Sequence, residues 1–488
     1  MLDIVIISVP GVSTRLPPAA PALLKASVEK AGFSCKTVDF NIQFYQESVD
    51  HAPLETYFST ELNPDQEPLA RLLIKKWTDD LVKLNPKFIG ISVFTHQNRV
   101  ATRLFCEEIR RRLSCKIILG GQGLSDGGIE GSSNFGSNLV TSGLADFWIR
   151  SEGEISLVEL LKNNITYPGI NSNTFAQIDD LDSLEFPDYS DYPMDLYDRK
   201  ILPVTGSRGC VRACSFCDIH EHWKYRYRSG QSMAAEIIHL ADKHKIYDFW
   251  FSDSLINGNL KEFKKFIKIL ADRNSQTQEK ISWGSQFIVR SSREVDDSYW
   301  QNIAISGGRL LSIGVETGSD RVRDHMNKKF SNKDLDYTMS MLDKYNITCN
   351  FLMIVGYPTE TEEDFQETLD MFTRYQSLAN RIIVDVTVGS TLGILPGTLL
   401  YKNAEMHNIE LDKYENNWIA HDNPTLTLER RIQRRTQLYE HLINLGYILK
   451  DDGTKHVLKV LENNLDMFNK RLKLKKMIKI KNNVKSAQ

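Results

Sequence analysis

Three cysteines in one short segment are the residues of this sequence best suited to metal chemistry. Cys210, Cys214 and Cys217 stand in the segment GSRGCVRACSFCDIH, with three and then two residues between them. Three thiolates on one loop can hold three irons of a cubane iron–sulfur cluster and leave the fourth iron open to an added ligand. A structural zinc ion would need a fourth ligand, which His220 or His222 could supply. The spacing predicts a metal centre and leaves these two kinds open.

Composition and charge exclude several classes of protein for this sequence. The chain has 488 residues, of which 41% are hydrophobic and 25% are charged, as in ordinary globular proteins. The net charge of −3 provides no general attraction to nucleic acid, so a nucleic-acid partner is not expected. No run approaches the ~18 apolar residues of a membrane span, and the first residues do not resemble a signal peptide. Seven cysteines, an odd number, fit poorly with a disulfide framework. We therefore expect a cytoplasmic protein without a membrane partner.

A repeated strand-then-helix pattern carries the cysteine segment. Apolar runs predict strands at 201–207, 247–253, 281–289, 309–316, 348–356 and 381–388, each followed by an amphipathic helix. Such a repeat over residues 201–400 predicts a partial (β/α)6 barrel of the TIM type. Chemistry in these barrels takes place on the loops that follow the strands. The cysteines come directly after the first strand.

The remaining stretches predict an α/β protein with three folded parts. Residues 1–164 alternate buried strands and helices, which predicts a Rossmann-like, doubly wound domain with a parallel sheet. Residues 165–200 are rich in polar residues and proline and are interpreted as a linker. Residues 401–488 are predicted to form a small, mainly helical C-terminal region with a basic tail, which either is solvated or meets an anionic partner.

The cysteine segment resembles that of the radical S-adenosylmethionine (radical SAM) superfamily, in which an aromatic residue precedes the last cysteine, as Phe216 does here. The segments 251–259, 312–331, 351–365 and 392–401 resemble further motifs of the same superfamily. The resemblance implies a 4Fe–4S cluster held by the three cysteines and bound S-adenosylmethionine, cleaved to a 5'-deoxyadenosyl radical. The candidate residues for S-adenosylmethionine are Phe216, Asp253, Gln286, Glu316, Gly356 and Tyr357. Asp253 and Glu316 could instead cap helices or form salt bridges, and Gln286 could cap a helix.

The first domain resembles the cobalamin-binding subclass of that superfamily. Ser92 ends a predicted strand, Gly120 and Gly121 end the next, and the segment 150–161 is close to a glycine- and glutamate-containing motif of the subclass. The resemblance implies that the cofactor's nucleotide tail lies against backbone that carries no Cβ atom. The Asp-x-His-x-x-Gly motif of other cobalamin enzymes is absent. His96 could approach the cobalt or lie in an exposed loop.

Three hypotheses follow. The first is a cobalamin-dependent radical SAM methyltransferase that acts on an unactivated carbon of a small molecule or peptide, with flavodoxin or ferredoxin as electron donor. The second is a cobalamin-independent radical SAM enzyme, catalysing cyclisation, rearrangement or oxidation, with a vestigial first domain. The third is a non-enzymatic, zinc-stabilised α/β binding protein. No residue is predicted to be catalytic in its own right, and nothing in the sequence identifies the substrate.

Overall fold

The fold is known from a computed structural model, which describes residues 2–11, 16–48, 67–125, 134–150, 152–389, 391–412 and 415–449. The chain forms two compact units. The first comprises Met1–Ala213, Cys217–Ile288 and Asp296–Leu311, and the second comprises Cys214–Phe216, Val289–Val295 and Ser312–Gln488. The basic tail predicted after residue 469 lies outside the described residues. The domain boundaries near residues 164, 200 and 400 stay predictions.

The first unit begins with a five-stranded parallel sheet, in agreement with the predicted α/β class. Its strands are β1 (Ile4–Ser8), β2 (Cys35–Asp39), β3 (Phe88–Ser92), β4 (Lys116–Gly120) and β5 (Phe147–Ile149). They lie side by side in the order β2-β1-β3-β4-β5, so the direction of winding reverses between β1 and β3. The helices of this part are α1 (Ala19–Lys30), α2 (Phe40–Ser48), α3 (Glu67–Leu84), α4 (Arg99–Arg112), α5 (Phe135–Thr141) and α6 (Gly153–Leu161).

Both faces of this sheet are buried, as expected for a parallel sheet with helices on each side. Successive residues of β1 alternate between two apolar clusters, with Val5 and Ile7 in one and Ile4 and Ile6 in the other. The strand register aligns the last residues of neighbouring strands: Ser8 lies opposite both Asp39 and Ser92, and Ser92 lies opposite Gly120. The carboxyl edge of the sheet therefore presents these side chains together.

A second sheet has six strands that follow one another in chain order. They are β6 (Leu202–Val204), β9 (Asp248–Phe251), β10 (Ser282–Phe287), β11 (Gly308–Glu316), β12 (Thr348–Met353) and β13 (Ile383–Val388). Two short antiparallel pairs join β7 (Ser207–Arg208) to β8 (Arg226–Tyr227) and β14 (Ile409–Glu410) to β15 (Ile419–Ala420). The helices are α7 (Ile219–His222), α8 (Gly230–His244), α9 (Leu260–Gln276), α10 (Asp297–Ile305), α11 (Asp320–His325), α12 (Asn332–Tyr345), α13 (Glu362–Arg374), α14 (Leu399–Lys402) and α15 (Leu428–Asn444). In the described part of the chain no helix is both long and apolar enough to cross a bilayer.

Local capping explains where several of these helices begin. The side chain of Thr361 accepts the backbone N–H of Asp364 and the Asp364 carboxylate accepts that of Thr361, which makes a capping box at the start of α13. Ser331 and Asp334 make the same motif at the start of α12. These caps fix where the two helices begin, which positions the loops that precede them.

The segment predicted as a linker is packed within the first unit. Tyr189, Tyr192 and Tyr197 are buried, and the Tyr197 hydroxyl donates to the Asp39 carboxylate at 2.7 Å. Within the described residues after 401, the chain contains the β14–β15 pair as well as helix α15, which ends at Asn444. The mainly helical character of the region 401–488 stays a prediction.

Candidate active site

The cysteine loop follows β6 and is irregular between the short strand β7 and helix α7. Cys214 is buried, whereas Cys210 and Cys217 are half-buried, and the backbone N–H of Arg212 lies 3.4 Å from the Cys210 sulfur. Within the described ranges the structure contains no assembled group of three or more His, Cys, Asp or Glu side chains able to hold a metal ion. The donor set, three thiols on one loop, fits a cubane cluster with one open iron.

Asp253 lies at the end of the second strand of the six-stranded sheet, beside the start of the cysteine loop. It is 3% exposed, and one carboxylate oxygen accepts the N–H of Gly206 at 2.9 Å. The other oxygen, Oδ1, has no hydrogen-bond partner among the described residues. Burial raises the pKa of Asp253 to about 7. It caps no helix, because Asn259 is the N-cap residue of α9. A buried carboxyl oxygen left open in this way is suited to a ligand's donor group.

The raised pKa of Asp253 predicts a specific dependence of stability on pH. Between about pH 4 and pH 7 the folded protein retains a proton that the unfolded chain has released. The free energy of unfolding contributed by this group therefore falls as pH rises through that window and levels off above it. We expect the variant Asp253→Asn to lack this decline, measured by urea denaturation across the same pH range. The exposed Asp242 is the matched control, and parallel pH profiles for wild type and Asp253→Asn would contradict the expectation.

Gln286 is placed less favourably than Asp253. Its side chain is exposed on β10, and its backbone carbonyl accepts the N–H of Ile256 at 3.0 Å. It does not cap α10, whose N-cap residue is Asp296. Its role in binding S-adenosylmethionine stays a prediction.

Glu316 ends β11 in the second unit in a strained conformation. Its φ is +66°, which costs about 1–3 kcal/mol for a residue with a side chain. The carboxylate is buried and lies 2.9 Å from the Lys328 ammonium. Glu316 therefore forms a salt bridge in this structure, which is one of the alternatives that the sequence left open. A Cβ atom on Gly314 would stand 2.5 Å from Glu316 Oε1, so glycine there gives the carboxylate room. Strain at a polar strand end is typical of functional sites.

Phe216 and Tyr357 are brought together in the second unit. Both belong to one apolar cluster, and the Tyr357 hydroxyl lies 2.9 Å from that of Ser215. Tyr357 also donates to the carbonyl of His325 at 3.1 Å. The Lys328 ammonium is 5.9 Å from the centre of the Phe216 ring. The residue before Phe216 is thus tied to the loop that follows β12.

Gly356 begins that loop and depends on residues that the sequence analysis missed. It has a φ of +83°, and a Cβ atom there would stand 2.5 Å from the Arg431 side chain. Its N–H donates at 3.0 Å to Glu360, and the same carboxylate oxygen accepts Arg434 at 2.8 Å. Burial raises the pKa of Glu360 to about 7 although Arg434 opposes the change. The sequence shows the arginines of α15 and the glutamate after β12, but no local pattern indicates that Glu360 and Arg434 form a pair.

A large cavity lies over the carboxyl edge of the first sheet. Its volume is about 740 Å³, and Ser92, Gly120 and Gly121 all line it. A Cβ atom on Gly120 would meet no atom within 4 Å, so that position faces open space. Gly121 has a φ of +111°, and a Cβ atom there would stand 2.4 Å from the Val93 carbonyl oxygen. The pair thus combines a turn that requires glycine with an unobstructed wall.

The cavity extends along one face of the sheet as an apolar slot. Ile6, Gly90, Ile118, Ile149 and Leu157 line this part of it. His96, in contrast, is exposed in a 3-10 turn and is not among the lining residues. Its approach to a cobalt ion stays a prediction.

A buried ion cluster connects the 150–161 segment to the start of the cysteine loop within the first unit. The Glu152 carboxylate lies 2.7 Å from the Arg226 guanidinium and 3.2 Å from that of Arg208, which also contacts Glu154. All four side chains are at most 15% exposed. The predicted motif supplied both glutamates, but the two arginines were missed because they lie over fifty residues away.

Removing one member of this ion cluster should destabilise the protein strongly. Glu152→Ala leaves two buried guanidinium groups short of a carboxylate, for which we expect a loss of about 3–5 kcal/mol in the free energy of unfolding. Glu159→Ala is the control, because its pair with Lys162 is at the surface and should contribute far less. Urea denaturation of both variants measures the difference, and equal losses would contradict the expectation.

Residues 204–372 match the sequence model of the radical SAM superfamily. This chain carries a radical SAM domain. The predicted relationship is therefore confirmed, and the domain implies a 4Fe–4S cluster and S-adenosylmethionine as cofactors.

Relatives and solved structures extend the comparison beyond the domain. The tRNA-2-methylthio-N(6)-dimethylallyladenosine synthase of Hydrogenobaculum sp. is 28% identical over 34% of this chain and 39% of its own length. The bacteriochlorophyllide d C-12(1)-methyltransferase of Chlorobaculum tepidum is 24% identical over 51% of this chain and 53% of its own. The chain thus spans about half or less of these relatives. A structure of the radical S-adenosylmethionine methyltransferase TsrM from Kitasatospora setae, with cobalamin and a [4Fe–4S] cluster bound, is similar with a TM-score of 0.59 at 15% identity. That match covers 85% of this chain and 78% of TsrM, and it supports the α/β fold.

Proposed function

We propose that this radical SAM protein is a cobalamin-dependent methyltransferase acting on an unactivated carbon of a small molecule or peptide. The observation that carries the proposal is the cavity of about 740 Å³ at the carboxyl edge of the first sheet, with Gly120 facing it. Ligands of doubly wound sheets bind at this edge, where the direction of winding reverses. We interpret residues 1–164 as the cobalamin-binding domain and the six-stranded sheet as a partial (β/α)6 barrel.

The residues of the cavity fit a corrinoid in two respects. Gly90 and the apolar residues beside it form a slot along the sheet face, which suits the nucleotide tail of the cofactor. Gly120 leaves the wall without side-chain atoms, and Gly121 permits the turn that follows it. A bound corrinoid would supply a cobalt that carries a methyl group. The protein's part is to hold this cofactor and to exclude water from it.

The radical chemistry would depend on the loops of the six-stranded sheet. We propose that Cys210, Cys214 and Cys217 hold the cluster, which supplies the electron that cleaves S-adenosylmethionine to methionine and a 5'-deoxyadenosyl radical. In the first unit, Asp253 offers an open, buried carboxyl oxygen for a ligand donor. In the second unit, Glu316 presents a carboxylate for the ammonium group of S-adenosylmethionine. Flavodoxin or ferredoxin is the proposed electron donor.

Two sets of contacts position the loop that begins at Gly356 and do not themselves bind a ligand. The backbone N–H of Gly356 is held by the Glu360 carboxylate, and Tyr357 is held by two oxygen atoms near the cysteine loop. These contacts fix the backbone that we propose to meet the adenine ring. The proposed roles of Phe216 and Gln286 rest on the resemblance and on their location.

The relatives favour methyl transfer over sulfur insertion. TsrM is a methyltransferase whose structure contains cobalamin, and the Chlorobaculum relative is also a methyltransferase. The Hydrogenobaculum relative is a methylthio-group synthase, but sulfur insertion usually recruits a second cluster. The four cysteines outside the loop are scattered at positions 35, 106, 115 and 349, which provides no second cysteine cluster in this sequence.

A cobalamin-independent radical SAM enzyme is the second candidate. It is favoured by one observation: among the described residues that line the larger cavity there is no histidine to ligate a cobalt ion. In that case the first domain would be vestigial, and cyclisation, rearrangement or oxidation would be the reaction class.

The experiment is anaerobic purification, cluster reconstitution and incubation with hydroxocobalamin, followed by visible spectra and a count of corrinoid per chain. We expect about one corrinoid and one cubane cluster per chain. Methyl-labelled S-adenosylmethionine should then label the corrinoid. A protein that has its cluster, cleaves S-adenosylmethionine and binds no corrinoid would support the second candidate. Colourless protein with stoichiometric zinc would overturn both in favour of a zinc-stabilised binding protein.

A further inference from the structure

A second, smaller cavity of the first unit adjoins the larger one. Its volume is about 530 Å³, within the range of small-molecule sites. It lies over the ends of β1, β2 and β3. Its wall is mainly apolar and includes Val9, Pro17, Leu23, Leu181, Leu184 and Pro187. Leu181 and Leu184 belong to the segment that the sequence suggested was a linker, so that segment forms part of a binding wall.

The charged side chains on this wall are already engaged with other protein groups. Asp39 accepts the Tyr197 hydroxyl at 2.7 Å and two backbone N–H groups of its own turn. Arg228 is paired with Glu236, and Arg208 belongs to the buried ion cluster described above. An anionic ligand would find no unpaired cation here, and its own desolvation would be uncompensated. Burial raises the pKa of Asp39, which disfavours the charged form that a cationic ligand would need. The wall therefore selects a neutral ligand.

Three residues that carry hydroxyl groups lie where the two cavities meet. Ser92, Thr205 and Ser252 line both cavities. The backbone brings two of them together, because the N–H of Ser252 donates to the carbonyl of Val204 at 2.9 Å. Their hydroxyls make no hydrogen bond within the described ranges of the chain, so they can donate to or accept from a ligand.

We propose that the smaller cavity binds the substrate, a neutral and largely apolar small molecule whose single hydrogen-bonding end meets Ser92, Thr205 and Ser252. This proposal rests on the proposed function for its identification of the ligand as the substrate. The apolar body lies against the proline- and leucine-rich wall. The polar end lies at the junction and faces the cavity assigned to the corrinoid.

A matched pair of fluorescent probes tests the cavity without knowledge of the substrate. The neutral 1-aminoanthracene should bind one per chain, and anthracene-1-carboxylate should bind at least about tenfold more weakly because its charge is unpaired. Leu23→Trp fills the cavity and should abolish binding of the neutral probe, whereas Leu72→Trp, at an exposed position of α3, should not. Ser252→Ala, which leaves the cavity volume nearly unchanged, should weaken binding about fivefold.

The same samples separate this proposal from the proposed function. Corrinoid per chain is counted from spectra and bound probe from equilibrium dialysis, with far-ultraviolet circular dichroism as the check that Leu23→Trp is folded. One probe bound beside a saturating corrinoid supports the proposal. Probe binding that persists in Leu23→Trp, equal binding of both probes, or displacement of the probe by hydroxocobalamin overturns it. Probe bound as expected in a protein that takes no corrinoid means that the proposed function fails and the neutral, apolar site stands.

Discussion

Alanine in place of Cys210, Cys214 or Cys217 is expected to abolish both the iron–sulfur cluster and the reductive cleavage of S-adenosylmethionine. A cubane with one open iron needs all three protein thiolates, and the loop carries no spare cysteine within reach in sequence. Iron and sulfide per chain, the broad visible absorbance after anaerobic reconstitution, and formation of 5'-deoxyadenosine with dithionite are the measurements. Each single variant should lose all three signals.

Cys115→Ala is the matched control for these variants. Cys115 is buried in the first sheet's core, and burial raises the pKa of its thiol to about 11, so it does not form a thiolate near neutral pH. This variant should keep the cluster and the cleavage. A cluster-loop variant that retains iron and forms 5'-deoxyadenosine would contradict the assignment of that cysteine. Bound zinc without visible absorbance in the wild type would contradict the assignment of all three.

The sequence predicted the strands in their chain order, and in the first sheet two of the apolar runs end at a serine or a glycine. Ser92 and Gly120 could be placed at one sheet edge from this pattern alone, and the register of β1, β3 and β4 brings them opposite each other. The cysteine loop was equally accessible, because ligand spacing on one loop is a local property. Local sequence patterns thus identified the residues around which both proposed cofactor sites are built.

Contacts between distant residues could not be predicted in the same way. Glu360 and Arg434 are 74 residues apart, and their pairing holds the Gly356 N–H only because α15 packs beside the loop after β12. The strain at Glu316 is likewise a property of the fold rather than of residue type. The burial of Tyr189, Tyr192 and Tyr197 in residues 165–200 is likewise set by packing against distant residues, because the prolines and polar residues around them predict a linker.

A bulky side chain at position 120 is expected to prevent corrinoid binding while leaving the cluster intact. Since a Cβ atom on Gly120 meets no atom within 4 Å, the fold has room for substitution there. Gly120→Phe should therefore place its ring in the cavity of about 740 Å³ and weaken corrinoid binding about 100-fold or more. The measurement is corrinoid per chain after incubation with hydroxocobalamin and desalting. Formation of 5'-deoxyadenosine in the same sample reports that the cluster remains functional.

Gly120→Ala is the matched control, because one methyl group occupies little of the open space and should leave most corrinoid binding in place. Gly121 would not serve as well, because its φ of +111° and the nearby Val93 carbonyl mean that any side chain there strains the turn itself. Full corrinoid occupancy in Gly120→Phe would show that the cofactor does not lie against this wall. Loss of corrinoid in the phenylalanine variant alone, with 5'-deoxyadenosine still formed, would instead separate the two cofactor sites. It would also locate the corrinoid at the carboxyl end of β4.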